Sequence, residues 1–509
     1  TPLLYGGIFL LWGSYGMATI VVYTTAMDCV RQGREGTDFT IQTVITHLSG
    51  MIMAILSGRI ADMTGYHGLF FFETCIAITS LVYSLTVLRK ENTHNSKLIT
   101  QTMQHLINKY NIPVPRYTSY PPANFFHENF GEQEYKDAII ASNEEQPELL
   151  SFYFHIPFCR RLCHYCGCNS YAAPEDNTLE RYIDALHKEI DLVLPLIRKD
   201  RKISQIHYGG GTPTFLPASE LAKLNKHVLD AFDTIEKPEI AIECHAGWMN
   251  EKDWEALVEA GFNRFSLGIQ DFDEKVLDAV HRKALAMPVE DIMTILRKAG
   301  ASVNMDFLYG LPHQTVESFT CSIEKAVELQ PDRLVTFSYA HVPWAFPRQK
   351  VLEQYGLPQG EVKSQMFESA RKVLCKAGYQ PIGLDHFVRE DDELSIALKN
   401  GQLHRNFQGY CTRRTTGQVY AFGVTGISQL GTAYIQNTKS IPKYIEKLEV
   451  GTLPVAKGYA LNKDEQITRE VIEMLMCNYT IRWEELAQRL SLSVEAIKQA
   501  TAYDEQRLQ

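Results

Sequence analysis

Four cysteines crowd one short stretch, Tyr153 to Asn169, which reads YFHIPFCRRLCHYCGCN. Cys159, Cys163 and Cys166 stand in a C-x3-C-x2-C spacing, and Cys168 follows two residues on. Thiolates are soft ligands that select iron–sulfur clusters, zinc or copper. Three of them close in sequence can hold three irons of a four-iron cluster and leave the fourth open to a non-protein ligand. Structural zinc would ask for four protein ligands, usually as two separated pairs, and no second C-x-x-C pair exists. A disulfide framework does not suit cysteines packed on one loop of a long chain without a secretory signal. The run Leu150 to Ile156 reads as a strand that Pro157 stops. The cysteines therefore sit on a loop at the C-terminal end of a strand, where α/β folds place their chemistry.

The loop, with aromatic Tyr165 before the third cysteine, resembles the cluster loop of the radical S-adenosylmethionine (SAM) enzymes. Its flanks narrow the resemblance. Tyr-x-His-x-Pro-Phe before the cysteines and Cys-Gly-Cys-Asn at their end look like the oxygen-independent coproporphyrinogen III oxidases. RYTSYPP (Arg116 to Pro122) resembles that family's N-terminal arm, and HRNFQGY (His404 to Tyr410) its substrate-side segment. The similarity spans roughly residues 105 to 480.

The resemblance implies a [4Fe-4S] cluster on Cys159, Cys163 and Cys166, and two molecules of SAM. The open iron would bind the SAM amino and carboxylate groups. One electron would then split the sulfonium and give a 5′-deoxyadenosyl radical, which takes a hydrogen from the β-carbon of a substrate propionate. Loss of carbon dioxide and one further electron leaves a vinyl group. Done twice, this turns coproporphyrinogen III into protoporphyrinogen IX. Tyr153 and His155 would order the cluster loop or contact the cofactor, although a histidine here could equally be a satisfied core residue. Cys168 would be a non-ligand near the cluster or the second SAM. A fourth thiolate on the open iron would block SAM, and its spacing from Cys166 strains joint ligation. The expected partners are a tetrapyrrole substrate and a one-electron donor such as flavodoxin or ferredoxin, with the enzyme part monomeric.

Strand-like runs that could position these groups recur from Leu149 onward: Leu150–Ile156, Gln205–Tyr208, Glu239–Glu243, Arg264–Ile269, Val303–Tyr309 and Arg333–Tyr339. Amphipathic helices lie between them, for example Leu179–Leu194, Ala218–Phe232 and Asn250–Ala260. Such alternation means parallel strands with crossover helices. Six units match the partial (β/α)6 barrel of the radical SAM enzymes, an α/β fold, with its site at the strands' C-terminal ends. Gly209-Gly210-Gly211-Thr212-Pro213 follows the second strand. Glycines let backbone amides approach a ligand and point inward as donors, or they only make a tight turn. By resemblance Gly210, Gly211 and Thr212 touch the SAM amino or carboxylate end. Glu243 ends the third strand, Gln270 the fourth, Arg282 follows in a helix, and Asp306 lies in the fifth strand. By resemblance these complete the first SAM site. The family usually continues the third strand with Asp-Pro, whereas Cys244, His245 and Ala246 stand here. Phe407, Gln408 and Ile427 resemble second-SAM contacts. Arg116, Arg161 and Arg405 are the cations offered to the propionates, since guanidinium pairs bidentately with carboxylate.

The chain has 509 residues, enough for two or more domains, and a formal net charge of −10. No basic surplus exists to neutralise nucleic-acid phosphates. Residues 1–92 are of another kind. Leu3 to Met27 carries no charge, Phe39 to Gly58 is a second apolar run, and Gly65 to Leu88 a third, broken by His67 and Glu73. Each is near the roughly 20 residues that span a bilayer. Three transmembrane helices in the cytoplasmic membrane are expected. Arg31, Arg34, Arg89 and Lys90 place the first connection and the segment after the third run in the cytoplasm, with the enzyme. SGRIADMTGYHG (Ser57 to Gly68) looks like a loop of the major facilitator transporters, so this part reads as a transporter fragment. Residues 93–148 are expected to be a linker and arm, 149–380 the partial barrel, and 381–509 a mostly helical cap that looks truncated. Trp483 to Ala500 has a helix–turn–helix look, but Glu484, Glu485 and Glu495 offset its cations and no DNA-reading helix stands out. Two other readings stand beside the decarboxylase: a haem-handling or haem-degrading radical SAM relative, and a transporter-linked tetrapyrrole sensor.

Overall fold

The computed structural model describes residues 59–65, 67–68, 71, 119–407, 409–412 and 417–502. The chain divides into two compact units, Thr1–Pro115 and Arg116–Gln509. The three long apolar runs fall almost wholly outside the described residues. Among those described, no helix is long and apolar enough to cross a membrane. Arg116 and Gln408 also lie outside them.

Six parallel strands follow one another in chain order: β1 Leu150–Ile156, β2 Ile203–Gly210, β3 Thr234–Cys244, β4 Arg264–Gln270, β5 Ser302–Tyr309 and β6 Arg333–Ser338. Each pairs in parallel with the next. β1 and β6 do not pair with each other, so the six-strand array stays open, as a partial barrel requires. Helices α1 Glu132–Ala141 and α2 Thr178–Val193 flank β1, and α3 Ala218–Leu229, α4 Glu251–Glu259, α5 Glu274–Ala279, α6 Val289–Lys298 and α7 Val316–Glu328 follow in the crossovers. The expected strands and helices match these within a few residues.

Side chains alternate across a strand, and the two sets separate cleanly here. Phe152, Phe154, Ile156, Ile206, Tyr208, Ile242, Phe265 and Leu267 join one apolar core with Tyr182, Leu186 and Ile190 of α2 and with Leu221 and Leu224 of α3. The intervening positions carry Tyr153, His155, His207, Glu243, Ser266 and Asp306. The register sets Tyr153 beside His207, Glu243 beside Ser266, and Gly268 beside Asp306. One face of the sheet is thus oiled against helices, and the other carries a row of polar groups.

The C-terminal part ends in the expected helices, Lys463–Asn478, Trp483–Leu490 and Val494–Ala500. Before them it holds strands that its weak alternation did not announce. Gln418–Phe422 pairs in parallel with β1 on the side away from β2, with Tyr153 beside Ala421. Ile427–Gln429, Ala433–Asn437 and Val455–Ala460 extend that edge antiparallel, while Gln380–Ile382 and His386–Val388 add to β6. A twelve-stranded sheet results. Short strands paired to distant partners leave little local signature, because the partner supplies their order. Glu189 ties this edge down. Its carboxylate, buried on α2, accepts from the Gly423 N–H at 2.8 Å, from Asn437 Nδ2 at 2.6 Å and from the Tyr444 hydroxyl at 2.5 Å. Desolvation pushes its carboxyl up to about 7 against those three donors.

From Ser119 the N-terminal arm is an ordered wrap, not an open loop. Phe126 stacks on Tyr434 with ring centres 5.6 Å apart, and the Tyr434 hydroxyl donates to the Tyr120 carbonyl at 3.2 Å.

Candidate active site

The loop after β1 carries Cys159, Cys163, Cys166 and Cys168, all with free thiols. Cys159 and Cys163 are buried, Cys166 partly so, and Cys168 is exposed. The four line one cavity of about 180 Å³ together with Gly210, Gly211, Thr212, Glu243, Gln270, Arg282 and Asp306. Every residue expected at the cluster and at the first SAM therefore reaches one space, from six segments of the chain, with Arg282 just past α5 and not in a helix as expected.

Donors surround the sulfurs. Thr212 Oγ1 donates to Cys159 Sγ at 3.3 Å, and the Cys168 N–H donates to Cys166 Sγ at 3.4 Å. Arg282 Nη1 reaches Cys163 Sγ at 3.6 Å and the Tyr165 hydroxyl at 3.2 Å. Its other nitrogen donates to the Gly268 carbonyl. Hydrogen bonding from Cys168 holds the Cys166 thiol down, to about 6. Burial pushes the Cys159 thiol up, to about 11.

The glycines at the second strand's end stand in close quarters. A Cβ on Gly209 would stand 2.8 Å from Glu243 Oε1, and one on Gly211 would stand 2.6 Å from the Pro157 carbonyl oxygen and 3.0 Å from Cys159 Sγ. The strand runs through Gly210, two residues past the expected end at Tyr208. Gln270 ends β4 at φ 67°, where the β4–β5 register slips. Asp306 is held by Ser266 Oγ at 2.7 Å and Asn304 Nδ2 at 2.8 Å, and burial raises its carboxyl pKa. Buried polar atoms at both cofactor-facing walls lack protein partners: His245 Nε2 and Asn169 Nδ2.

A second, larger cavity of about 850 Å³ shares Cys168, Ser170, Gly210 and Glu243 with the first. Tyr153, His155, Phe407 and Ile427 line it, as do Arg348 and Lys439. Tyr153 and His155 form a fixed chain. The Tyr153 hydroxyl meets His155 Nδ1 at 3.1 Å, and His155 Nε2 meets the Asn169 carbonyl at 3.1 Å. Since Nε2 faces an acceptor it carries the proton, so Nδ1 accepts from the tyrosine. Burial lowers the His155 pKa and raises that of Tyr153, which keeps both neutral.

The cations offered to the propionates fare differently. Arg161 lines the first cavity, not the second. Arg405 lies over the Tyr410 ring at 5.0 Å and lines neither cavity. Arg348 and Lys439 line the larger cavity instead. No motif flags them, because Arg348 sits in the 3-10 helix Pro347–Tyr355 after β6 and Lys439 in the bend before the helix Ile441–Glu449. His207, whose Nε2 stands 3.3 Å from Glu243 Oε1, also escaped sequence reasoning. Its alternation with Gln205 and Gly209 along β2 is the signal that places it inward.

The cavity chemistry fits a multi-iron cluster. Among the described residues no three His, Cys, Asp or Glu side chains close on a single-ion site. Cys159, Cys163 and Cys166 open on one cavity, the soft sulfur donor set that an iron–sulfur cluster takes. Beside them, backbone amides at Gly210 and Gly211 and the carboxylates of Glu243 and Asp306 suit a zwitterionic, hydroxyl-bearing ligand such as SAM.

An open parallel α/β array with three cysteines at the end of its first strand defines a radical SAM protein, and residues 153–326 match the radical SAM superfamily. A solved coproporphyrinogen III oxidase from Escherichia coli, described as a radical SAM enzyme, is similar with a TM-score of 0.70 and 38% identity, over 76% of this chain and 87% of that one. The oxygen-independent coproporphyrinogen III oxidase of Synechocystis is 39% identical over 391 residues, 77% of this chain and 84% of its own. That of Helicobacter pylori strain 26695 is 39% identical over 392 residues, 76% and 85% of the two chains. The chain belongs to the oxygen-independent coproporphyrinogen III oxidase family.

Proposed function

We propose that this protein converts coproporphyrinogen III to protoporphyrinogen IX without oxygen, by two oxidative decarboxylations. The observation that carries this reading is the shared wall between the two cavities. Cys168, Ser170, Gly210 and Glu243 border both, so a cofactor in the smaller one abuts a substrate in the larger. Cys159, Cys163 and Cys166 hold a [4Fe-4S] cluster. Gly210, Gly211, Thr212, Glu243, Gln270, Arg282 and Asp306 hold one SAM, and Phe407, Gln408 and Ile427 a second. When bound, cluster and SAM supply a carbon radical by one-electron cleavage of the sulfonium bond.

The remaining work falls to the chain. Arg282 and Thr212 donate toward the cysteine sulfurs and favour their thiolate forms. Tyr153 and His155, both neutral, brace the tail of the cluster loop through Asn169 and shape the wall between the cavities. Arg348 and Lys439 pair with substrate propionates and orient one of them to that wall. Each propionate loses one hydrogen atom, one carbon dioxide and one electron, and becomes a vinyl group. The electron that starts each cycle comes from a donor protein such as flavodoxin or ferredoxin. The enzyme part acts as a monomer in the cytoplasm, and residues 1–92 attach it to the membrane as a transporter-like fragment.

The deciding experiment is an anaerobic assay of the reconstituted chain with SAM, a reductant and coproporphyrinogen III. Divinyl product, carbon dioxide and 5′-deoxyadenosine are expected together. Methylated or opened haem would select the degrading relative, and binding without turnover the sensor. Recovery of the full chain in the soluble fraction after membrane sedimentation would remove the membrane attachment.

A further inference from the structure

Arg160 and Arg161 stand in the cluster loop between Cys159 and Cys163, and Lys283 follows Arg282, which touches Cys163 Sγ. The three cations converge on one indole. The guanidinium carbons of Arg160 and Arg161 lie 5.8 and 6.0 Å from the Trp248 ring centre, and Lys283 Nζ lies 3.9 Å from it. All three are exposed, and none pairs with a carboxylate among the described residues. Asp253, on the rim of the neighbouring groove that Arg160 and Trp248 line, makes no ion pair with them.

This crowding runs against the chain as a whole, whose formal net charge is −10. Like charges gathered on one ring repel, and the π face offsets only part of that. An approaching acidic surface would relieve it, and a tryptophan ringed by arginines is the composition of an interface centre. The patch also lies on the protein's exterior beside the cysteine loop. The proposed reaction needs one electron per cycle from outside, and this is a short way in.

We infer that the surface of Arg160, Arg161 and Lys283 around Trp248 docks an acidic one-electron carrier protein that reduces the cluster. This rests on the proposed function. In each encounter the carrier is oxidised by one electron and the cluster site is reduced by one.

Reduced flavodoxin, an acidic flavoprotein, is the probe. The reconstituted full chain and its Arg160→Glu/Lys283→Glu variant are mixed with it anaerobically, and flavin oxidation is followed by stopped flow at low and high salt. Photoreduced deazaflavin, a small uncharged reductant, serves in parallel. The charge reversal is expected to slow reduction by flavodoxin about tenfold or more at low salt and to flatten its salt dependence. Reduction by deazaflavin should stay unchanged, which also shows that the variant is folded and loaded. Arg160→Gln/Lys283→Gln should fall between the two. Equal rates with flavodoxin in all three proteins would overturn the inference. So would unchanged flavodoxin rates accompanied by weaker coproporphyrinogen III binding, which would give the patch to the substrate. A site that neither reductant reduces in the unaltered chain would overturn the cluster reading itself, and this inference with it.

Discussion

A methyl group on Gly210 would stand 2.8 Å from Cε1 of His155. The end of the second strand is pressed against the imidazole that braces the cluster loop, and Gly210 holds φ at +117°, which side chains rarely adopt. Gly210→Ala should therefore cost about 1–3 kcal/mol for the backbone alone, plus the displaced ring. The expected outcome is a lower Tm and reduced iron retention. Adding His155→Ala should relieve the contact but not the dihedral, so Tm should recover only in part. Full recovery would show that the φ angle is not strained.

The four cysteines should separate by function. Cys159→Ala, Cys163→Ala and Cys166→Ala should each abolish cluster incorporation, measured as iron per chain and as visible absorbance after anaerobic reconstitution. Cys168→Ala should retain near-normal iron, because that residue borders both cavities and stands outside the three-ligand spacing. Loss of iron in Cys168→Ala would make it a ligand.

Arg348→Ala and Lys439→Ala should each raise the dissociation constant for coproporphyrinogen III about tenfold, the worth of one charge-assisted contact. Arg405→Ala should leave it unchanged, since that guanidinium sits on Tyr410 away from both cavities. Titration under anaerobic conditions checks all three.

Glu189→Ala should destabilise the chain by about 3–5 kcal/mol, because three buried donors lose their acceptor at once. Urea unfolding measures this. The change should loosen the strand Gln418–Phe422 without touching either cavity wall, so iron incorporation at low temperature should persist.

His245 should make the fold acid-sensitive. Burial, then the Arg282 charge, lowers its pKa to about 3. An unfolded chain has it near 6.5, so the unfolded state binds the extra proton between those values. Stability from this group is full above about pH 6.5 and is lost as pH falls toward 3. His245→Asn should flatten the fall in urea midpoint across that window. A slope equal to the unaltered chain's would show that other groups set it.

Much of this was legible in the order of residues. Cysteine spacing is local, so it named a cluster before any fold was known. β1 was bounded to the residue, because Pro157 ends it and its apolar alternation is strong. Gly209 to Gly211 read as close-approach glycines, and each proved to have an atom within 3.0 Å of its missing Cβ. What escaped was whatever depends on a distant partner. The strand Gln418–Phe422 is ordered by β1, more than 260 positions earlier in the chain. Arg348 and Lys439 look like any surface cation until folding turns them to one cavity.

Chain order alone thus determined the cysteine spacing, the six strand–helix units and the strands' C-terminal ends to within two residues, since these follow from short-range chemistry and periodicity. Tertiary structure decided which cations line the larger cavity, how Glu189 locks the added strands, and where Trp248 gathers three positive charges. Those depend on long-range register and burial, which bring residues together without leaving a mark on their neighbours in sequence.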